Sequence, residues 1–181
     1  MSDGPQFDPI RILETLIEHN VRFVLVGGQA AAFHGASRRT ADADIVIDQA
    51  EDNLECVAAA LNELNWRYRV EAMTDEEVLA LGMVKMTPSM LRGHPIQTLM
   101  TDSGALDVLC AIPTSEGESP GRNYSALSVD AIDYTPILGL TLKLAALDHI
   151  IESKQWADRP KDHAAIGELL ALRDEAGTDR D

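Results

Sequence analysis

Apolar residues recur at helical spacing from the first structured segment: Ile10, Leu13, Leu16 and Ile17 lie on one face of a predicted helix over residues 8–19, with Asp8-Pro9 as cap and first-turn proline. The apolar run 23–26 then predicts a strand. It ends in a tight turn at Gly27-Gly28, and the alanine-rich segment 29–34 predicts a short helix stopped by Gly35. A second strand over 43–47 and an amphipathic helix over 53–64 repeat the alternation. Residues 66–94 are less periodic, with a strand at 66–70 and a helix from about 75 interrupted near Pro88. Segments 96–100 and 105–112 predict a hairpin turning at Thr101-Asp102-Ser103-Gly104, with Asp107 inside its second strand. The Gly/Pro/Ser/Glu-rich segment 113–122 predicts an exposed loop. Strands at 132–137 and 140–144 and helices at 147–156 and 160–173 complete the chain.

This alternation makes an α/β (α+β) fold, divided as a core domain over 1–145, a helical segment over 146–175 packed on it, and a charged tail over 176–181. At 181 residues one domain suffices, and no internal repeat is visible. No stretch reaches the apolar length of a membrane span or secretory signal, so a cytoplasmic protein with no membrane partner is expected. Cys56 and Cys110 lack metal-type spacing and read as small buried hydrophobes, with neither disulfide nor zinc expected. With 15 Lys+Arg against 30 Asp+Glu the net charge is −15, which repels phosphate backbones at long range and argues against a general nucleic-acid binder. Arg38-Arg39 and the group Lys154, Arg159 and Lys161 still permit a local basic pocket.

The chemistry concentrates at three places. Asp42 and Asp44 stand two apart at a strand entry, where alternate side chains share a face, so both carboxylates can converge on one cation. Magnesium is commonly held by one or two carboxylates together with substrate phosphates. Asp107, isolated in an apolar strand run, is the natural third carboxylate, since a buried lone aspartate is costly unless paired or metal-bound. Gly27-Gly28 lets backbone approach a phosphate beside a helix N-terminus. Taken singly, each has a plain structural account: turn residues for Asp42 and Asp44, a partly exposed edge-strand position for Asp107, an ordinary tight turn for the glycines.

Together they carry a resemblance. Gly-Gly, thirteen residues, Asp-x-Asp on a strand and a later strand Asp resemble the DNA polymerase β-like nucleotidyltransferase superfamily. The string VGGQAAAFHGASRRTADADIVID is similar to AbiEii-type, toxin-related nucleotidyltransferases and their short relatives, as is LDHIIESKQWADRPKDHAAIGEL near the C-terminus. The resemblance spans roughly residues 21 to 172. It implies a nucleotidyltransferase-like mixed β-sheet flanked by helices, with Mg²⁺ on Asp42, Asp44 and Asp107 and NTP phosphates on Gly27-Gly28. It further implies phosphate contacts from Arg39 and Lys154, with Lys161 and Asp162 completing the nucleotide site and Asp162 orienting Lys154, Lys161 or the acceptor. A nucleoside monophosphate would pass to a hydroxyl of RNA (such as tRNA), a protein or a small molecule, and a toxin role with a cognate antitoxin is one setting for that activity. The alternative is a catalytically inactive nucleotide- or protein-binding module of the same fold. Without the resemblance, Lys154, Lys161 and Asp162 read as helix-surface charges, Lys143 as an edge-strand or solvent-facing lysine, His34 as a helix-end histidine, and Trp66, Tyr68 and Trp156 as core or rim.

Overall fold

The computed structural model describes residues 7–38, 40–137 and 139–178, without the side chains of residues 118–120, 136, 137, 161 and 176–178. Helix α1 (Pro9–Glu18) begins where the Asp8 side chain accepts a hydrogen bond from the Arg11 N–H at 3.1 Å, and it buries Ile12, Leu13 and Leu16. Strand β1 (Phe23–Val26) is buried at all four positions, so the sheet has cover on both faces there. Helix α2 (Gly27–Phe33) follows without an intervening turn. The expected glycine turn is therefore the first residues of the helix itself, because the positive φ of Gly27, +65°, swings the chain from strand into helix in one step.

Strand β2 (Asp42–Ile47) and helix α3 (Glu51–Glu63) match the expected alternation. Strand β3 (Arg67–Tyr68) is only two residues long, shorter than the expected 66–70. Helices α4 (Asp75–Leu79) and α5 (Pro88–Leu91) follow. Pro88 starts a helix where the sequence suggested an interruption, since a first-turn proline sacrifices no helical N–H bond. The hairpin of β4 (Ile96–Thr101) and β5 (Gly104–Leu109) turns as expected, with Gly104 at φ +111° and the Thr101 hydroxyl donating to the Gly104 carbonyl at 2.8 Å.

The expected strand over 105–112 breaks at Cys110, and the segment read as an exposed loop forms a second hairpin, β6 (Ala111–Thr114) with β7 (Gly117–Asn123). Its composition is loop-like, but a tertiary tie holds it: Glu152 accepts from the Ser115 N–H and hydroxyl at 2.8 and 2.7 Å and from the Arg122 guanidinium. Helix α6 (Tyr124–Asp130), which periodicity did not reveal, is capped by Asn123 accepting from the Ala126 N–H. Strands β8 (Ile132–Ile137) and β9 (Leu140–Leu144) and helices α7 (Leu147–Ala157) and α8 (Pro160–Thr178) close the fold, α8 running into the segment expected to be tail.

Seven strands form one mixed sheet in the order β3-β4-β5-β2-β1-β9-β8. The central pairs β2–β5 and β1–β9 are parallel and the others antiparallel. The larger of two hydrophobic clusters among the described residues joins residues of α1, α3 and the sheet to Ile150, Ile151 and Leu169 of the last two helices, and the smaller groups Val78 of α4 with Met100 and Ala105 of the β4–β5 hairpin. Cys56 and Cys110 are free thiols and only half-buried, against the expectation of full burial; Cys110 donates to the His94 carbonyl. No described helix is long and apolar enough to cross a membrane.

One buried polar side chain locks α3 to the start of the sheet. Asn53 accepts from the Arg22 N–H at 2.7 Å and donates to the carbonyls of Arg22 and Asp48 at 3.0 and 2.8 Å. Asn53→Ala would leave buried backbone groups unmatched, and we expect it to lower unfolding free energy by about 2–4 kcal/mol, read from urea titration.

Candidate active site

Strand register assembles the site. Asp44 lies opposite Val26 on one side and Asp107 on the other, so the aspartates of β2 and β5 are direct neighbours whose side chains share a face. Asp42, two residues earlier on β2, joins that face. Because Val26 immediately precedes the glycines, the N-terminus of α2 opens onto the same carboxylates. The approach is close: a Cβ on Gly27 would lie 2.1 Å from Asp44 Oδ2, and one on Gly28 would lie 3.0 Å from the Cβ and Oγ1 of Thr40. The positive φ of Gly27 and its contact with Asp44 favour glycine there, and a side chain at Gly28 would press tightly on Thr40. The Gly28 N–H donates to the Asp44 carboxylate, and the Thr40 hydroxyl donates to Asp42 Oδ1.

This crowding changes the acidity of Asp44. Burial, reinforced by the neighbouring charges of Asp42 and Asp107, raises its pKa to about 7, against the pull of the Gly28 N–H and Lys154. Among the described residues no three ligating side chains stand in a ready-made metal cage. The adjacent carboxylates of Asp42, Asp44 and Asp107, brought together by strand register, nevertheless fit a hard divalent cation that completes its shell with water and phosphate oxygens.

Opposite the sheet stands a charged wall from the helices. Asp162, 2% exposed, accepts from Lys154 Nζ at 3.0 Å and from Arg159 Nε at 2.6 Å. Burial works against the ionised form of Asp162, but its hydrogen bonds to Arg159 and Lys154 prevail and hold its pKa below the ordinary value. These residues, Gly27, Gly28, Arg38, Thr40 and the three aspartates line one cavity of about 710 Å³. The volume is within the range of small-molecule sites.

The structure thus brings Gly27, Gly28, Asp42, Asp44, Asp107, Lys154 and Asp162 to one cavity. Asp162 is buried there, not a helix-surface charge. Arg39 lies outside the described residues, and Lys161 is described only in its backbone, within α8. His34 bonds the Ala145 carbonyl through Nε2 at 2.9 Å, tying α2 to the end of β9. Lys143 sits on an inner strand between β1 and β8, not an edge, and turns outward to Asp133 at 3.1 Å. Trp66 is core and packs edge-on against Tyr68, whereas Trp156 is at the cavity rim. The sequence reading missed Thr40 and the rim residue Ile96. A lone threonine two residues before an aspartate carries no distinguishing signal, and Ile96 joins the cavity only through the β4–β5 register.

The mixed sheet, its flanking helices and the carboxylate-lined cavity at the β1–α2 junction define a nucleotidyltransferase fold. The chain is similar to the lincosamide antibiotic adenylyltransferase LnuA, solved with lincomycin, at TM-score 0.57 and 14% identity, covering 92% of this chain and 99% of that one. It is also similar to ANT(2″)-Ia, solved with adenylyl-2″-tobramycin, at TM-score 0.51 and 16% identity, over 94% and 95% of the two chains. No family model and no curated protein sequence matches the chain.

A native Asp44 that keeps its proton to about pH 7 binds more protons than its unfolded form, which releases it near 3.8. Stability of the metal-free protein should therefore fall as pH rises from 4 through 7, by on the order of 2–4 kcal/mol. In thermal melts Asp44→Asn should flatten that decline and melt above the parent protein at pH 8; an unchanged pH profile would contradict the cost assigned to ionised Asp44.

Proposed function

We propose that this protein is a magnesium-dependent nucleotidyltransferase that moves a nucleoside monophosphate from an NTP to an acceptor hydroxyl. The observation that carries this reading is the in-register placement of Asp44 against Asp107, with Asp42 beside them and the Gly27-Gly28 helix start opening onto the same cavity. The shared fold with two antibiotic adenylyltransferases supports it.

In this reading the triphosphate lies along the N-terminus of α2, where backbone N–H groups and the absence of side chains at Gly27 and Gly28 admit it. Lys154, held in place by Asp162, faces the triphosphate tail, and Arg38 and Arg159 add positive charge at the cavity wall. Magnesium on Asp42, Asp44 and Asp107 would supply neutralisation of charge on the attacking and leaving oxygens. The acceptor oxygen attacks the α-phosphorus in line, the bond from that phosphorus to the bridging oxygen breaks, and pyrophosphate leaves. Asp107, nearest the acceptor side, takes the hydroxyl proton. Arg39 and Lys161 extend the phosphate contacts on the strength of the family resemblance. In an AbiEii-type setting the same chemistry would act as a toxin restrained by an antitoxin.

Purified protein incubated with each α-labelled NTP, Mg²⁺ and separated RNA, protein and small-metabolite fractions of a lysate should label one fraction. The Asp42→Ala/Asp44→Ala double variant should not. A folded wild-type protein that labels nothing would instead favour a binding module of the same fold.

Lys154→Ala should weaken NTP binding at least tenfold in equilibrium titration while leaving the fold intact by circular dichroism; unchanged affinity would remove Lys154 from the site.

A further inference from the structure

We infer that the side of the cavity beyond Asp107 receives the apolar body of a small hydroxyl compound, which makes the acceptor an amphipathic small molecule and not a polynucleotide. This rests on the nucleotidyl-transfer reading and follows from the order of the strands. Crossing the sheet from β1, the cavity floor runs through the phosphate-facing glycines, then Asp42 and Asp44 on β2, then Asp107 on β5. In-line displacement places the attacking oxygen opposite the leaving pyrophosphate, hence on the side away from β1. What lies there is apolar. Leu109, on the same face as Asp107 and two residues further along β5, pairs with Ile96 of β4, and Ile112 and Pro113 of the adjoining hairpin also line the cavity.

Ile96 is 49% exposed, an apolar side chain presented at the cavity rim rather than spent on the core. Among the described residues, the cations that line the cavity, Arg38, Lys154 and Arg159, come from the α2–β2 connection, α7 and the α7–α8 connection, not from β4, β5 or β6. A polynucleotide entering here would therefore put its phosphates against apolar side chains on a protein of net charge −15. A hydroxyl carried on a compact apolar frame would meet complementary surface, with its polar end at Asp107.

The test uses 2-naphthyl β-D-glucopyranoside, a neutral fluorescent probe with an apolar body and sugar hydroxyls, titrated into the full-length protein holding Mg²⁺ and each α,β-methylene NTP analogue, which cannot transfer. The probe should bind together with the analogue. Ile96→Gln/Leu109→Gln should weaken probe binding at least tenfold with analogue affinity retained, and glucose or a short oligoribonucleotide should not displace the probe. Absence of probe binding, indifference to the double substitution, or displacement by the oligoribonucleotide would overturn the assignment. Displacement by the analogue would also overturn it, by giving the apolar wall to the nucleotide base. If no analogue binds with Mg²⁺, nucleotidyl transfer itself fails and the acceptor assignment falls with it.

Discussion

The parallel pairing of β2 with β5 is the constraint on which the site depends, because it sets Asp44 directly against Asp107. Burial makes an ionised carboxylate at Asp44 costly and the neighbouring charges of Asp42 and Asp107 deepen that cost, as the raised pKa of Asp44 records. Such an arrangement persists only if the surrounding structure enforces it. Here the enforcement comes from strands whose other residues are almost wholly apolar and buried: Ala43, Ile45, Val46 and Ile47 on β2, and Ala105, Leu106 and Val108 on β5. Core burial thus holds in place a polar cluster that would disperse if the aspartates were free to move apart.

The helices answer that negative charge from the opposite wall. Asp158 adopts a left-handed conformation, φ +47°, at the end of α7, and Pro160 opens α8, so the chain reverses within a few residues. That reversal brings Asp162 back under Lys154 and Arg159. A carboxylate 2% exposed is unfavourable alone, yet two cationic partners satisfy both its oxygens and fix their positions over the cavity. The same helix α7 carries Glu152, which clamps the β6–β7 hairpin, so one element positions both the cationic wall and the apolar margin of the cavity.

Local sequence was sufficient wherever an element's reason for existing lay within it. The cap and apolar stripe of α1, the all-apolar β1 and the strand pair at the end of the sheet were legible because periodicity and turn residues act over a few positions. It failed where a partner distant in sequence supplied the stabilisation. The segment 111–123 has the composition of a loop and becomes a hairpin because Glu152 holds it. Arg67–Tyr68 is a strand only through its pairing with β4, and Lys143 lies on an inner strand only because β8 folds outside β9.

The site divides in the same way. Asp42 and Asp44 share a face by strand geometry alone, and the adjoining glycines announce close backbone approach, so the identity of the candidate residues was already present in the chain. Their relation was not. That Asp107 faces Asp44 and that Ile96 reaches the cavity rim depend on strand pairing between segments far apart in sequence, and that Asp162 lies buried beneath Lys154 depends on the reversal between the last two helices. Backbone preference is decided over a few neighbouring residues, whereas register and burial are decided only when distant elements compete to cover one another.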